Sequence, residues 1–266
     1  MTDGPNRLVF DIERVQGRFR RQYRGLTVEG AFWDLSAYKH LIGRIHADDV
    51  LEWPRTICIA WRTVGRKRVE FASEWDDGQE GMHDAIWQAV DQADIVIGHN
   101  VKGFDLKHLR TGWRDLGMSP PSPAKIVDTL SVARKEFGDE SRTLDALTKR
   151  AGISSKTDRY SVEVARAALA GDKRAQRKLK AYNIGDIEAS EALYLELLPW
   201  IAGHPHVGLY GDTTDTVCGN CGSIDLRRQG YAYTSLGKFV QRQCKTCGKW
   251  SRDKKAIASV DVRPAA

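Results

Sequence analysis

Acidic residues lie inside apolar segments at three widely separated places in this 266-residue chain. The segments are LVFDIE, HNVKGFD and YNIGDIE, and the acids are Asp11, Glu13, Asp105 and Asp186. A carboxylate is costly to bury unless a partner neutralises its charge. We therefore expect the fold to bring the segments together around cations, most simply two Mg²⁺ or Mn²⁺ ions, an arrangement suited to phosphodiester cleavage.

The first two acids share one face of a predicted strand. Residues 7–13 alternate with the period of two that strands require, so Asp11 and Glu13 point to the same side. Asp105 follows a short apolar strand predicted at 95–97 and opens a helix. The two segments can therefore present their carboxylates to one point.

The last long helix is predicted to carry the fourth acid. Residues 174–200 follow a helical period, and Tyr182 and Asp186 lie one turn apart on the stripe expected to face the core. The tyrosine hydroxyl could there orient or deprotonate an attacking water. Asp128 also lies between a strand and a helix, but we interpret it as a helix N-cap outside the site.

Strands and helices alternate along the main part of the chain, which predicts an α/β domain with a mixed sheet. Further strands are predicted at 56–64, 68–72 and 125–127, and further helices at 82–93, 106–113, from 129, and at 144–151. The segment 14–54 has aromatic residues but no clear period, including Tyr23, Phe32, Trp33 and Tyr38.

Four of the five cysteines form two pairs with the spacing of a metal site. The pairs are Cys218 with Cys221 and Cys244 with Cys247, and each is followed by glycine. Such pairs hold one structural Zn²⁺ ion through four thiolates, and the residues between them suit short strands, so we predict a small β zinc ribbon. The fifth, Cys58, is expected to be a buried apolar residue.

Positive charge is concentrated near the C-terminus. From residue 205 onward there are ten Lys and Arg against five Asp and Glu, whereas the rest of the chain has 31 against 30. Aromatic residues lie among these cations, including Tyr231, Tyr233, Phe239 and Trp250. This mixture favours binding to single-stranded nucleic acid, although a basic surface that binds protein remains an alternative.

The motifs FDIE, HNxxxFD and YxxxD, in this order, resemble the DEDD superfamily of 3′→5′ exonucleases. Residues 7–200 are similar to the proofreading domains of family B DNA polymerases and to stand-alone phage and bacterial DnaQ-like proteins. The resemblance implies an RNase H-like fold, with a five-stranded mixed sheet whose first three strands are antiparallel.

The same resemblance implies roles for individual residues. It assigns Asp11, Glu13, Asp105 and Asp186 to metal binding and Tyr182 to the DEDDy branch. The DEDDh branch has a histidine where this chain has Ala181. Asn100 matches an asparagine near the substrate strand, and His99 is expected to be structural.

The leading hypothesis is a two-metal 3′→5′ exonuclease acting on single-stranded DNA or frayed 3′ ends. The alternatives are a RuvC-like or other RNase H-like endonuclease, an RNA 3′ exonuclease, and a catalytically silent adaptor that binds nucleic acid. No polymerase domain follows, so proofreading would require a replication or repair polymerase in trans.

The expected organisation is an exonuclease domain at 1–203, a linker at 204–211, and a zinc ribbon with a basic tail at 212–266. No apolar run approaches 18 residues. The N-terminus also lacks the features of a signal peptide. We therefore expect no membrane association and a cytoplasmic location.

Overall fold

A computed structural model of the chain describes residues 4–32, 45–153, 160–212 and 214–262. Trp33 and Tyr38 of the aromatic segment lie outside these ranges. In chain order, the strands are β1 (Arg7–Val15), β2 (Arg18–Tyr23), β3 (Leu26–Ala31), β4 (Val50–Glu52), β5 (Arg55–Thr63), β6 (Glu70–Ser73), β7 (Ile95–Gly98), β8 (Lys125–Asp128), β9 (Leu226–Tyr233), β10 (Gly237–Cys244) and β11 (Trp250–Ser259). The helices are α1 (Glu74–Asp91), α2 (Asp105–Asp115), α3 (Thr129–Glu136), α4 (Leu144–Arg150), α5 (Val162–Leu169) and α6 (Lys173–Leu197).

The central sheet has five strands in the order β6–β5–β1–β7–β8. Strands β1, β5 and β6 pair antiparallel, whereas β7 and β8 join β1 in parallel. This confirms the predicted α/β fold class and the mixed sheet, with its first three strands antiparallel. The parallel strands end on the same side, which places the segments after β1 and β7 next to each other.

The two faces of the central sheet pack against different helices. Leu8, Phe10 and Ile12 of β1 pack on one face with apolar residues of α1 and α2. Val9 points to the other face and packs with Ile187 and other residues of α6. The predicted alternation along β1 is therefore confirmed, and Asp11 shares its face with the residue that meets α6.

Helix α6 differs from the prediction at two positions of its buried stripe. The predicted stripe included Tyr182 and Asp186, but both are partly exposed, whereas Asn183 and Ile187 are fully buried. The other members of the predicted stripe, Leu179, Ala189, Leu193 and Leu197, are buried, so Tyr182 and Asp186 lie at the edge of the core. The predicted stripe was wrong at these positions because a helical period alone does not distinguish a buried side chain from one at the edge of the core.

The segment between β1 and β5 forms a second sheet, which the sequence pattern did not predict. Its strands are ordered β3–β2–β4, and Phe19 is its fully buried anchor. Glu52 of β4 forms ion pairs with Arg55 and Arg166, so this sheet is tied to β5 and α5. Helix α5 was also missed, because residues 162–169 are rich in alanine and too short for a clear period.

The third sheet lies near the C-terminus and has the order β11–β10–β9. Tyr231, Tyr233 and Phe239 lie in its strands as predicted, whereas β11 was not predicted. The region contacts the main domain, because the side-chain amide of the buried Asn220 donates to the carbonyl oxygens of Leu198 and Ile201 at 2.7 and 3.0 Å. In the described part of the chain, no helix is both long enough and apolar enough to span a bilayer.

Candidate active site

Three carboxylates from two elements converge beside β1. One oxygen each from Asp11, Glu13 and Asp186 lies within 4.8 Å of the others. Asp11 and Glu13 share a face of β1, and α6 crosses that face with Asp186 turned toward them. Like charges this close repel unless a cation or protons intervene. The donor set consists of hard oxygen ligands, which fits Mg²⁺ or Mn²⁺.

Asn183 holds the Asp11 carboxylate in place. This fully buried side chain donates from Nδ2 to Asp11 Oδ2 at 2.8 Å and to the Asp11 carbonyl oxygen at 3.3 Å. Its Oδ1 is buried and receives no hydrogen bond from the described residues. A buried acceptor beside a carboxylate cluster fits a bound water or the water shell of a cation. Nothing in the sequence pattern singled out Asn183.

The side chain of Asp105 contacts the backbone of the same strand, β1. The side chain of Asp105 opens α2, is almost fully buried, and accepts from the Ile12 amide at 3.3 Å. Ile12 lies between Asp11 and Glu13, so Asp105 contacts the strand that carries two of the other acids, but it is not part of the group whose oxygens lie within 4.8 Å. Burial raises the pKa of Asp105 to about 7, the nearby Asp128 adds to this rise, and the Ile12 amide opposes it. A cation at the site would favour the ionised form.

The loop before Asp105 is shaped by Asp128. Its carboxylate caps α3 through the amides of Leu130 and Ser131 at 3.0 and 3.2 Å. This confirms the predicted N-cap. The same carboxylate accepts from the amides of Asn100 and Lys102 at 3.1 Å each. Asp128 therefore fixes the path of the chain into α2. The sequence predicted the cap of α3 but not this contact with the loop.

Asn100 occupies a backbone conformation that glycine and asparagine tolerate best. Its φ angle is 66°, in the left-handed region. A Cβ atom at Gly103 would meet Asn100 Oδ1 at 2.5 Å, so only glycine leaves room for this side chain. Beside it, the His99 ring contacts the Thr129 hydroxyl at 3.0 Å and the Arg142 carbonyl at 2.9 Å. The predicted structural role of His99 is confirmed.

Tyr182 and a second tyrosine lie beside the carboxylates. Burial raises the pKa of Tyr182 well above its usual range, and the charge of Asp186 raises it further. The Tyr182 ring meets the edge of Tyr160, with ring centres 6.5 Å apart. The Tyr160 hydroxyl donates to the Arg14 carbonyl at 2.6 Å, directly after Glu13. No sequence pattern singled out Tyr160, because a single tyrosine before a short helix has no distinctive pattern.

The four clustered cysteines form a second candidate metal centre. Their sulfur atoms lie within 4.8 Å of one another, and two pairs, Cys218 with Cys247 and Cys221 with Cys244, are 3.6 Å apart. Zinc–sulfur bonds of about 2.3 Å in a tetrahedron would place sulfur atoms ~3.8 Å apart. Gly222 and Gly248 both have φ of 80°. The Gly222 amide donates to the Cys218 carbonyl, and the Gly248 amide donates to the Cys244 carbonyl. The geometry therefore fits a tetrahedral metal ion.

Residues 54–198 match the family profile of the RNase H superfamily. The match covers more than half of the chain and includes Asp105, Tyr182 and Asp186, whereas Asp11 and Glu13 precede it. The chain belongs to the RNase H superfamily. Two of the three clustered acids, Asp11 and Glu13, therefore lie on β1, which precedes the matched range but pairs with β5 and β7 inside it.

Several plant proteins share short stretches of sequence with this superfamily member. Protein NEN3 of Arabidopsis thaliana is 33% identical over 57 residues, which is 21% of this chain and 10% of NEN3. Protein NEN4 is 27% identical over 75 residues, or 28% of each chain. Protein NEN2 is 26% identical over 98 residues, covering 36% of this chain and 19% of NEN2. The chain therefore spans less than a third of the length of these relatives.

Proposed function

We propose that this protein is a metal-dependent 3′→5′ exonuclease that shortens single-stranded nucleic acid, most simply DNA. The observation that carries the proposal is the convergence of Asp11, Glu13 and Asp186 within 4.8 Å, with Asp105 bonded to the strand between the first two. Tyr182 beside this group, with no histidine five residues before Asp186, supports the DEDDy type.

Asp11, Glu13, Asp105 and Asp186 would hold two Mg²⁺ or Mn²⁺ ions. When bound, such ions lower the pKa of water and stabilise negative charge on a leaving oxygen. Asn183 fixes the orientation of the Asp11 carboxylate through its 2.8 Å hydrogen bond. Asp105 accepts from the Ile12 amide, which fixes its side chain against the strand that carries Asp11 and Glu13. These contacts pre-position the ligands, which reduces the cost of reorganisation during the reaction.

Tyr182 would act on the attacking water. Its ring is held by Tyr160 and by its place one turn before Asp186 on α6. The hydroxyl can therefore accept or donate a hydrogen bond at a fixed point beside the carboxylates. Asn100, whose side chain fills the space left open by Gly103, would contact the substrate strand at the entrance.

The proposed organisation follows the predicted boundaries. The exonuclease domain would comprise 1–203, and 212–266 would form a zinc ribbon with a basic tail, in which four thiolates hold one structural Zn²⁺ ion. The linker at 204–211 is in part packed, because Val207 is buried among residues of the main domain. The ribbon would therefore be seated on the exonuclease domain and not tethered loosely to it.

A gel time course with oligonucleotides labelled at the 5′ end tests the proposal. With Mg²⁺ or Mn²⁺, we expect a descending ladder of products from single-stranded DNA, and a parallel RNA substrate identifies the preferred sugar. Asp11→Ala and Asp186→Ala should abolish the ladder while the thermal unfolding midpoint stays close to that of the wild type. Tyr182→Phe should slow the reaction severely without loss of metal binding.

A circular single strand separates this proposal from an endonuclease. A circle has no 3′ end, so it should stay intact while its linear form is degraded. Cleavage of the circle would favour the RuvC-like alternative. Absence of cleavage of every substrate, with metal bound, would favour a silent adaptor.

A further inference from the structure

The C-terminal sheet exposes two tyrosines on the same face as two cations. Tyr231 and Tyr233 of β9 are 38% and 70% exposed. Tyr233 lies opposite Lys238 of β10, and Tyr231 lies opposite Val240, so all of these side chains point to one side of the sheet. We call Arg228, Tyr231, Tyr233 and Lys238 the tyrosine face.

A bulge at Gly230 brings Arg228 onto this face. Arg228 lies opposite Arg242 while Tyr231 lies opposite Val240, so β9 has one more residue than β10 between these pairs. Gly230 has a φ of 70°, the left-handed conformation typical of the first residue of such a bulge. Without the bulge, residues three apart would point to opposite sides of the strand.

The cations on this face lie against the rings. Lys238 Nζ is 4.0 Å from the Tyr231 ring centre and 5.8 Å from that of Tyr233. The Arg228 guanidinium is 5.6 Å from the Tyr231 ring centre and donates to its hydroxyl at 3.3 Å. These contacts hold positive charge against the partly exposed Tyr231 ring, with the more exposed Tyr233 ring beside it.

The surrounding charge favours a polyanion over a protein surface of mixed charge. Strands β9–β11 contain seven Lys and Arg residues and one acid, Asp253. That acid is paired with Arg242 through two hydrogen bonds of 2.7 and 3.0 Å. Fixed cations beside exposed aromatic rings match the alternating phosphates and bases of a single strand.

We propose that the tyrosine face binds single-stranded nucleic acid on the 5′ side of the nucleotide held at the carboxylates. This inference rests on the proposed function. Cys221 and Cys247 pack against the core near Leu198, at the C-terminal end of α6. Along α6, Asp186 and Leu197 are separated by about 16 Å at 1.5 Å per residue. A dinucleotide held at the carboxylates is too short to extend beyond the cysteine region, whereas a longer strand can.

Binding is measured first, by fluorescence anisotropy, on the zinc-loaded full chain without added Mg²⁺ or Mn²⁺. The probes are oligothymidylate and oligouridylate of about 20 nucleotides, longer than a typical small single-strand site. Tyr233→Leu should weaken binding about tenfold, whereas Tyr233→Phe, which keeps the ring, should bind like the wild type. Arg228→Gln should weaken binding and lower the slope of log K against log salt by about 0.7.

Arg227→Gln is the matched control. Arg227 is the exposed neighbour of Arg228 and lies opposite Gln243, so it points to the other side of the sheet. The charge change is identical, and we expect a smaller effect on affinity. Equal effects of Arg227→Gln and Arg228→Gln, or no loss of affinity in Tyr233→Leu, would overturn the assignment and indicate another surface or a protein partner.

Turnover of long and short substrates then separates this inference from the proposed function. With Mg²⁺, Tyr233→Leu and Arg228→Gln should degrade the long strand more slowly at low substrate concentration but hydrolyse a dinucleotide at the wild-type rate. An equal loss on both substrates would contradict a role for the tyrosine face in holding the strand. If the wild type hydrolyses neither substrate, the nuclease proposal fails while the binding comparison still decides the tyrosine face.

Discussion

Asn183 shows how one uncharged side chain can define a site built from acids. Its amide connects α6 to both the backbone and the side chain of Asp11. Because Asn183 is fully buried, its own position is fixed by packing. Two of the elements that carry the carboxylates are therefore held in register by this residue.

Replacing Asn183 by leucine tests this role. The side chains are similar in volume, so we expect the fold to persist while the Asp11 carboxylate loses its fixed orientation. Catalytic turnover should fall by about 10²-fold, the scale expected for small misplacement of a reacting group. Ser190→Ala, a change at another buried position of α6, is the control and should retain most activity. Full turnover of Asn183→Leu would show that the carboxylate is oriented by other contacts.

At the scale of single residues, the predicted acids stand out in the sequence, whereas the residues that were missed do not. Acids in apolar segments are conspicuous because burial of a charge needs compensation. Asn183 and Tyr160 are ordinary residues for a helix face or a loop. Their partners, Asp11 and Arg14, are more than 140 positions away in sequence, so only the folded chain brings them together.

At the scale of elements, a buried ion pair connects the β5–β6 turn to α6. Arg62 and Glu191 are 2.6 Å apart, and their side chains are only 13% and 9% exposed. Glu191 also accepts from the Gly65 amide at 2.8 Å. This contact supports the antiparallel half of the sheet against the helix that carries Asp186.

Glu191→Leu should destabilise the protein, because it leaves Arg62 without its charge partner in a buried place. We expect a loss of about 3–5 kcal/mol in the free energy of unfolding, measured by urea titration. Asp115→Leu is the matched control, since its pair with Arg114 is 60% and 75% exposed and such pairs contribute little. Equal effects of the two substitutions would contradict the structural role of the Arg62–Glu191 pair.

Helices α1 and α2 meet at His83, which makes this contact sensitive to pH. A Cβ atom at Gly112 would meet His83 Nε2 at 2.1 Å, so the ring lies directly against α2. Burial lowers the pKa of His83 below 6.5, although its bond to the Gln79 carbonyl opposes this. Protonation therefore favours the unfolded chain.

The stability contribution of neutral His83 should be complete above about pH 6.5 and should be lost progressively as the pH falls below that value. We expect His83→Asn to lower stability at neutral pH and to make the fall toward acidic pH shallower, by at most about 1.4 kcal/mol per pH unit. Urea titrations of both proteins across this range provide the measurement. Parallel pH profiles for wild type and variant would contradict the assignment.

At the scale of the whole molecule, the cysteine region and the main domain share contacts. Cys221 and Cys247 pack against the cluster that contains Val9 and Tyr194. Lys249 also donates to the Ile201 carbonyl at 3.1 Å. Loss of a metal from the cysteines should therefore weaken contacts at the C-terminal end of α6 as well as in β9–β11.

Cys247→Ser should release zinc and abolish the protection of β9–β11 from hydrogen exchange, because so small a sheet lacks an apolar core of its own. Strands β1 and β7 should keep their protection. Cys58→Ala is the control, since Cys58 is buried in the main core, away from the other four cysteines, and should leave zinc content unchanged. Retained protection of β9–β11 in Cys247→Ser would mean that the region folds without metal.

The sequence by itself determined the alternation of β1, the positions of most strands and helices, the α/β class and the pairing pattern of the cysteines. These features depend on local period and spacing, which a single chain displays directly. The tertiary structure alone decided that Tyr182 and Asp186 lie at the edge of the core, how Asn183 and Tyr160 support the carboxylates, and how the sheet of β2–β4 attaches. Those features arise from contacts between distant residues, and their energies depend on packing that no local pattern records.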